Sequence, residues 1–504
     1  MRIVETFGTW ILALALALSV GTAARAQDSI VIAAGVDVTG VNALDELTIV
    51  PDRFLTDHIA DTLLRLGKSG EPGPWLATSY RNIDPLTWEL RLREGVKFQN
   101  GETFDAESVK FFYETLNDPK LQSPTKSNHT FVRNVEIVDL HTVRIITKEP
   151  FPLAPIQFTY AHMMPPAYVR QVGWDGYRKK PIGTGAYSFV EHVRDDHYTM
   201  RAFDGYWGGP QRYKTVTYRP IREDSSRVAA LLAGEVDIVM DIPPELMPVV
   251  QQSKIASIKT VTSVRSAFLI LNELDKSMPT ANPKVREAIN YAVDRETLNK
   301  TIIGGTGAAA AWINPAMFGQ NPDLKPLPYD PERSKRLLAE AGYPNGFTVD
   351  FDATEGKFLK DREIAEAVAG QLSKVGITAN VKVYEWGLFG KRMFSHQASP
   401  IALMTWSEVK GDPDSHNRLQ LLKGGTWSQT DDPTLDDFVR RIEREMDREK
   451  RKALIYDLQA YMRESFPTAY LLQLGGIYGV STRADWWEPR YDDKVWVYRN
   501  STVQ

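Results

Sequence analysis

The chain has no cysteine among its 504 residues. That excludes disulfides, cysteine nucleophiles, iron–sulfur clusters and thiolate zinc sites. Histidine is sparse: His58, His129, His141, His162, His192, His197, His396 and His416. None forms His-Glu-x-x-His and none pairs at i,i+4, so no metal site is expected. His192 and His197 are five apart in a strand-like stretch and fall on opposite faces. There is no Gly-x-Ser-x-Gly elbow and no Gly-x-x-x-x-Gly-Lys phosphate loop. A loose glycine pattern at 305–310 follows a helical stretch, where dinucleotide binding needs a preceding strand. Neither sign of charge dominates: 60 basic against 64 acidic residues give −4, with no bulk field for nucleic acid. With that many carboxylates, no pair stands out as catalytic. No cofactor is implied.

What is present is ordinary for a globular protein: 43% hydrophobic and 25% charged residues. The length suits two or three domains. The 12 Trp, 20 Tyr and 20 Phe supply a core and can also line a large pocket. Arg2, an apolar run over 10–20 and Ala24-Arg25-Ala26 together predict a secretory signal peptide over 1–26, cut before Gln27. The run is too short to span a membrane, and no later window approaches 18 apolar residues. Without cysteine at the cut, no lipid anchor is expected, which indicates a freely diffusing protein in a Gram-negative periplasm.

Apolar periodicity predicts a strand over 29–36 and a helix over 53–66, carried by Phe54, Ile59, Leu63, Leu64 and Leu66. Residues 87–92 alternate as a strand, and Asp105 caps a helix over 106–116. Two strands join at 139–141 within 135–146. Residues 150–166 form a proline-rich connection. Strands are expected at 187–203, 216–221 and 236–240, with a helix over 225–233 ended by Gly234. The character changes near 277–283. Helices over 283–303, 330–341, 361–375 and 434–462 then alternate with strands at 348–353, 379–384 and 401–406, an α/β pattern. The run Arg440, Arg441, Glu443, Arg444, Glu445 reads as a solvated face with i,i+4 pairs. No repeat or low-complexity tract is present.

Several motifs occur in a definite order. Trp88-Glu89-Leu90-Arg91-Leu92-Arg93-Glu94-Gly95-Val96-Lys97-Phe98 is followed by Asn100-Gly101-Glu102. Pro181-Ile182-Gly183-Thr184-Gly185-Ala186-Tyr187 comes next, then Tyr206-Trp207-Gly208-Gly209 and Leu231-Leu232-Ala233-Gly234-Glu235-Val236-Asp237. After these stand Asn282-Pro283-Lys284-Val285-Arg286 with Asp294-Arg295, and Tyr329-Asp330-Pro331 with Ala341-Gly342-Tyr343. Together they resemble the extracytoplasmic solute-binding proteins of family 5, the dipeptide/oligopeptide/nickel type that serves ABC importers. Most of these residues read as scaffold. Gly183 and Gly185 mark a sharp turn into a strand, and Asp294-Arg295 can bond backbone near a helix end.

The resemblance implies an α/β, two-lobed periplasmic-binding-protein fold, type II-like with an extra inserted domain, closing on ligand about a two-strand hinge. It places residues 27–66, 179–272 and 476–504 in a discontinuous hinge-side lobe. Residues 67–178 would form the insert and 273–475 the second lobe. A monomer would dock transiently on an ABC permease in the inner membrane. The ligand-facing segment would be 401–412, with Trp406 matching the family's cleft tryptophan. Oligopeptide binders carry an aspartate three residues after it and an arginine three before. Here those positions hold Val409 and Leu403. A buried α-ammonium needs a paired carboxylate, so Glu408 or Asp412 would have to supply it. Lys410 could meet an acidic group. Tyr384, Trp386, Tyr470, Gln473, Thr39 and Asn42 are further candidates for ligand contact. Peptides lead the ligand classes, with opines, oligosaccharides and metal chelates as alternatives in the same transport role. A secreted hydrolase using an Asp/Glu pair is the competing class.

Overall fold

A computed structural model describes residues 28–45, 50–67, 70–312, 317–355, 357, 359–408 and 410–498. The leader expected at 1–26 and Val409 lie outside the described residues. β1 (Ser29–Ala34) is followed by a helix, Val50–Ile59, and a short ribbon of β2 (Leu64–Leu66) and β3 (Pro72–Pro74). Next come β4 (Ala77–Asp84), β5 (Thr87–Leu92), β6 (Val132–Asp139) and β7 (Thr142–Thr147). These four make a separate antiparallel sheet in the order β4-β5-β7-β6. Asp105 caps the helix Ala106–Asn117 that covers it, accepting from the backbone of Glu107 and Ser108.

β8 (Tyr187–Val193), β9 (His197–Ala202), β10 (Thr215–Pro220) and β11 (Ile238–Val239) rejoin β1. β12 (Ala256–Leu271) then leads into the second half, with β13 (Ala308–Ala309), β14 (Phe347–Thr354), β15 (Ile377–Tyr384) and β16 (Ile401–Ser407). β17 (Thr468–Ser481) returns. One 11-stranded mixed sheet results, ordered β15-β14-β16-β12-β17-β11-β1-β10-β9-β8, with β13 beside β17. β12 and β17 pair antiparallel from Ala256 opposite Ser481 to Ile270 opposite Thr468. β17 also holds β11 of the first lobe, while β12 holds β16 of the second. These two long strands are the connection between lobes that the resemblance implies.

Three helices differ from their sequence patterns, each for a visible reason. The one expected over 53–66 stops at Ile59, whose carbonyl accepts from the Gly185 backbone N–H at 2.8 Å. Asp61 is then buried and takes the Trp75 indole at 2.6 Å and the Trp207 indole at 2.9 Å. A buried carboxylate needs such donors, and a continued helix would not supply them. The helix over 283–303 splits into Pro283–Ala292 and Arg295–Ile302. Asp294 caps the second part, and buried Arg295 donates to the carbonyls of Tyr470 at 2.6 Å and Asn290 at 3.1 Å. The helix over 434–462 likewise breaks into Pro433–Arg444 and Arg448–Ser465, the second capped by Asp447.

Gly183 shows why its motif carries glycine. A Cβ there would stand 2.4 Å from the Ile59 carbonyl oxygen and 2.6 Å from Ala60 Cα, both rigid backbone. Gly183→Ala is therefore expected to cost about 1–3 kcal/mol. Urea unfolding measures it, and an unchanged midpoint would refute the close-packing argument.

Candidate functional site

A cleft of about 810 Å³ opens between the lobes. Arg53, Asp241 and Glu245 line it from the first lobe, Lys360 and Thr405 from the second, and Arg265 of β12 from the connecting strands. Charges of both signs face it. Arg265 is held by Asp493 at 2.9 Å and Asp241 at 3.1 Å. Lys360 crosses between lobes to Glu245 at 3.1 Å.

At the end of β16, Thr405 and Ser407 face the cleft. Strand alternation turns Trp406 to the other side, half-buried against the second lobe's apolar cluster. Its indole donates to Glu408 at 3.3 Å. Glu408 is only 2% exposed. Beyond that indole it accepts from the Lys410 backbone at 3.4 Å. Both bonds are long, and no cation stands at ion-pair distance from it among the described residues. Burial pushes its carboxyl up to about 7, with the Lys410 charge opposing.

Lys410 reaches across to the first lobe, where its ammonium donates to Asn128 Oδ1 at 3.1 Å and lies 6.0 Å from the Tyr160 ring centre. Burial lowers its pKa. Beside it, Asn128 Nδ2 and His129 Nδ1 are buried with no hydrogen-bond partner. A polar seam therefore runs between the lobes, with Glu408 and Lys410 on one side and Asn128, His129 and Tyr160 on the other.

The other nominated residues are engaged elsewhere. Asp412 makes a buried bidentate pair with Arg451, at 2.6 and 2.8 Å, which pins the segment after β16 to the helix Arg448–Ser465. Gln473 stitches β17 to β12. Its amide donates to the carbonyls of Ser263 and, at 2.9 Å, Arg265, and it accepts from Ser266. Tyr470 shares a 2.9 Å hydrogen bond with His416 in the interior. Thr39 donates to Asp52 at 2.5 Å, and Asn42 caps its own turn by accepting from the Leu44 N–H. Tyr384 lies under the Arg392 guanidinium at 5.0 Å. Trp386 stacks with Trp427 and sits 4.8 Å from Lys357, a cleft residue. Leu403 belongs to the second lobe's core.

Trp406, Glu408 and Lys410 thus follow one another after β16 with none of the three lining the cleft itself, while Asn128 and Tyr160 meet Lys410 across the seam and Arg53 and Arg265 line the cleft. These last four carried no motif in the sequence. Among the described residues, no group of three or more His, Cys, Asp or Glu is arranged to hold a metal, and no helix is long and apolar enough to cross a membrane.

Two lobes, two connecting strands and a charged cleft between them define a protein that captures a solute by enclosing it. The family model for bacterial extracellular solute-binding proteins, family 5, matches residues 71–428, and the chain belongs to that family. Its role is solute capture for an ABC importer. It is 30% identical over 391 residues to the glutathione-binding protein GsiB of Escherichia coli K12, covering 77% of this chain and 75% of that one. In fold it is similar to NikA from Brucella suis, solved with Fe(III)-EDTA (TM-score 0.81, 23% identity, 92% of this chain and 98% of that one). It is also similar to DppA from Helicobacter pylori, solved with the peptide STSA (TM-score 0.73, 23% identity, 94% and 98%).

The Glu408 environment has a pH signature. The native carboxyl keeps its proton up to about pH 7, whereas the unfolded one releases it near 4.5. Between those values the native state binds more protons, so this group's contribution to stability falls as pH rises. Glu408→Gln removes that penalty. In the ligand-free protein it should gain on the order of 2–3 kcal/mol relative to wild type at pH 8 compared with pH 5. Urea unfolding at both pH values reads the difference, and an equal effect at both would reject it.

Proposed function

We propose that this protein is a monomeric periplasmic carrier that takes a small peptide-like solute into the interlobe cleft. The ligand's ammonium pairs with Glu408, and its body lies against the cleft faces of Thr405, Ser407 and Arg265. One observation carries this reading: Glu408, the residue after the cleft-lining Ser407, is a deeply buried carboxylate held by two long hydrogen bonds. An uncompensated carboxylate in such a place calls for a cation. The other carboxylate of the segment, Asp412, is already paired with Arg451. The relative GsiB is named for binding glutathione, which carries one ammonium and two carboxylates and so suits a cleft of mixed charge.

In this reading the leader is cut after Ala26, the cysteine-free product is not lipid-anchored, and the loaded form docks transiently on the inner-membrane permease. The proposed division keeps residues 27–66, 179–272 and 476–504 as the hinge-side lobe, 67–178 as the insert and 273–475 as the second lobe. It is supported by the separate β4–β7 sheet, which lies wholly within 67–178.

Mass spectrometry of solute released from protein purified without additions should yield an amine-bearing, peptide-like compound. Glutathione or that compound should raise the melting temperature and reduce the radius of gyration in solution scattering. If a panel of peptides, opines, sugars and chelates produced neither change, the reading would fail.

A further inference from the structure

We propose that the second lobe carries an anion site of its own: a small cavity lined by Arg295 and Arg463 takes one halide-sized anion. The site lies apart from the solute cleft and does not depend on solute capture.

Arg295 belongs to the Asp294-Arg295 motif, which solute capture leaves unused. Among the described residues, five arginines are buried: Arg65, Arg227, Arg286, Arg295 and Arg451. Four of them meet a carboxylate. Arg65 pairs with Asp61 at 3.3 Å, Arg227 with Asp224, Arg286 with Glu273 at 3.0 Å and Arg451 with Asp412 at 2.6 Å. Arg295 has no carboxylate at ion-pair distance among the described residues. Its donors meet neutral acceptors: the carbonyls of Tyr470, Asn290, Val293 and Leu327 and, at 3.4 Å, the Asn290 side-chain oxygen. Carbonyls satisfy hydrogen bonds but leave the net charge in place, and a buried charge without a counter-charge is costly.

A cavity of about 20 Å³ is lined by Arg295, Arg463, Trp312, Thr468 and Tyr470, and no Asp or Glu lines it. Arg463 likewise has no carboxylate partner among the described residues, and its guanidinium donates to the Lys325 carbonyl. Burial draws the Arg295 pKa down to about 10, and the Arg463 charge acts in the same direction. Two cations therefore repel each other around a space whose walls hold no anion. Trp312 is only 3% exposed, and its indole N–H is buried beside the Tyr470 hydroxyl without completing a hydrogen bond. That hydroxyl is already engaged with His416 at 2.9 Å. An anion in the cavity would accept from the indole and offset both guanidinium charges. Water could fill the space but could not offset the charges. The volume has room for one water-sized occupant, which suits a halide and excludes sulfate, phosphate and the solute itself. The cavity shares no lining residue with the interlobe cleft. Tyr470 stands on β17 and Arg463 on the helix Arg448–Ser465, so the bound anion would tie that helix to the strand connecting the lobes.

Crystals of the mature chain grown in bromide test this by anomalous diffraction at the bromine edge. A peak is expected in the cavity, within contact of Arg295 and Arg463. In solution, chloride or bromide at fixed ionic strength, balanced with gluconate, should raise the melting temperature by roughly 2 °C or more, and the rise should saturate as occupancy of one site does. Arg463→Gln should erase the saturable rise, Arg463→Lys should keep part of it, and Trp312→Phe should weaken it. Circular dichroism checks that each variant is folded. A cavity holding only water, an equal response to halide and gluconate, or an undiminished halide response in Arg463→Gln overturns the anion site.

Discussion

The antiparallel ladder between β12 and β17 is the constraint on which the rest depends. Each strand belongs to both lobes, because β17 carries β11 at one end while β12 carries β16 along the other. All 14 residues of β17 are buried. The ladder is interrupted between Thr262 and Ser266, and Gln473 bridges that gap by bonding the carbonyls of Ser263 and Arg265. A break in a ladder is where strands bend most easily. Here it is covered by a side chain, so the connection bends without exposing unpaired backbone. Arg265, two residues past that side chain's first contact, then projects into the cleft. The bending point and the ligand space are thus neighbours by construction.

The segment leaving β16 shows how the same few residues divide structural and functional work. Asp412 and Arg451 satisfy each other with two short bonds in a buried setting, and the pair holds the segment in place. Glu408, four residues earlier, is equally buried but lacks such a partner. The difference is not exposure but the number of donors. A protein gains nothing in stability from Glu408 as placed, which is the usual sign of a group retained for binding.

Legibility in the sequence followed the physics of each element. Amphipathic helices, the Asp105 cap and the stop at Gly234 were readable. The break at Val293–Asp294 was not, because Arg295 fixes it through a bond to the Tyr470 carbonyl that no local period records. β17 was missed because a strand buried on both faces loses alternation, and β12 because its more exposed first half and buried second half share no single pattern. Trp406, Glu408 and Lys410 were nominated through a motif, and the same motif drew in Asp412, whose partner Arg451 is 39 residues away. Asn128 and Tyr160 were invisible because each comes from a different segment and only the fold brings them to Lys410.

Closure itself is weakly held by the protein alone. The cross-lobe ion pairs, Lys360 with Glu245 and Arg448 with Glu71, are solvent-exposed. Such pairs contribute ~0–1 kcal/mol each and less at high salt. The tight approach of Gly411 to the Gly70 carbonyl, 2.6 Å from where a Cβ would stand, adds shape but little energy. Against these small terms stands the seam, where burial penalises both the Glu408 carboxylate and the Lys410 ammonium and their mutual attraction offsets only part of that penalty. Moving such an equilibrium from mostly open to mostly closed takes about 5.5 kcal/mol of differential affinity. The exposed latches do not supply that. A solute that compensates the buried charges on both sides of the seam does, because its contacts exist only when the lobes meet. The same desolvation that makes the empty seam unfavourable makes its occupation selective, since a ligand lacking either charge leaves one of the buried groups as costly as before.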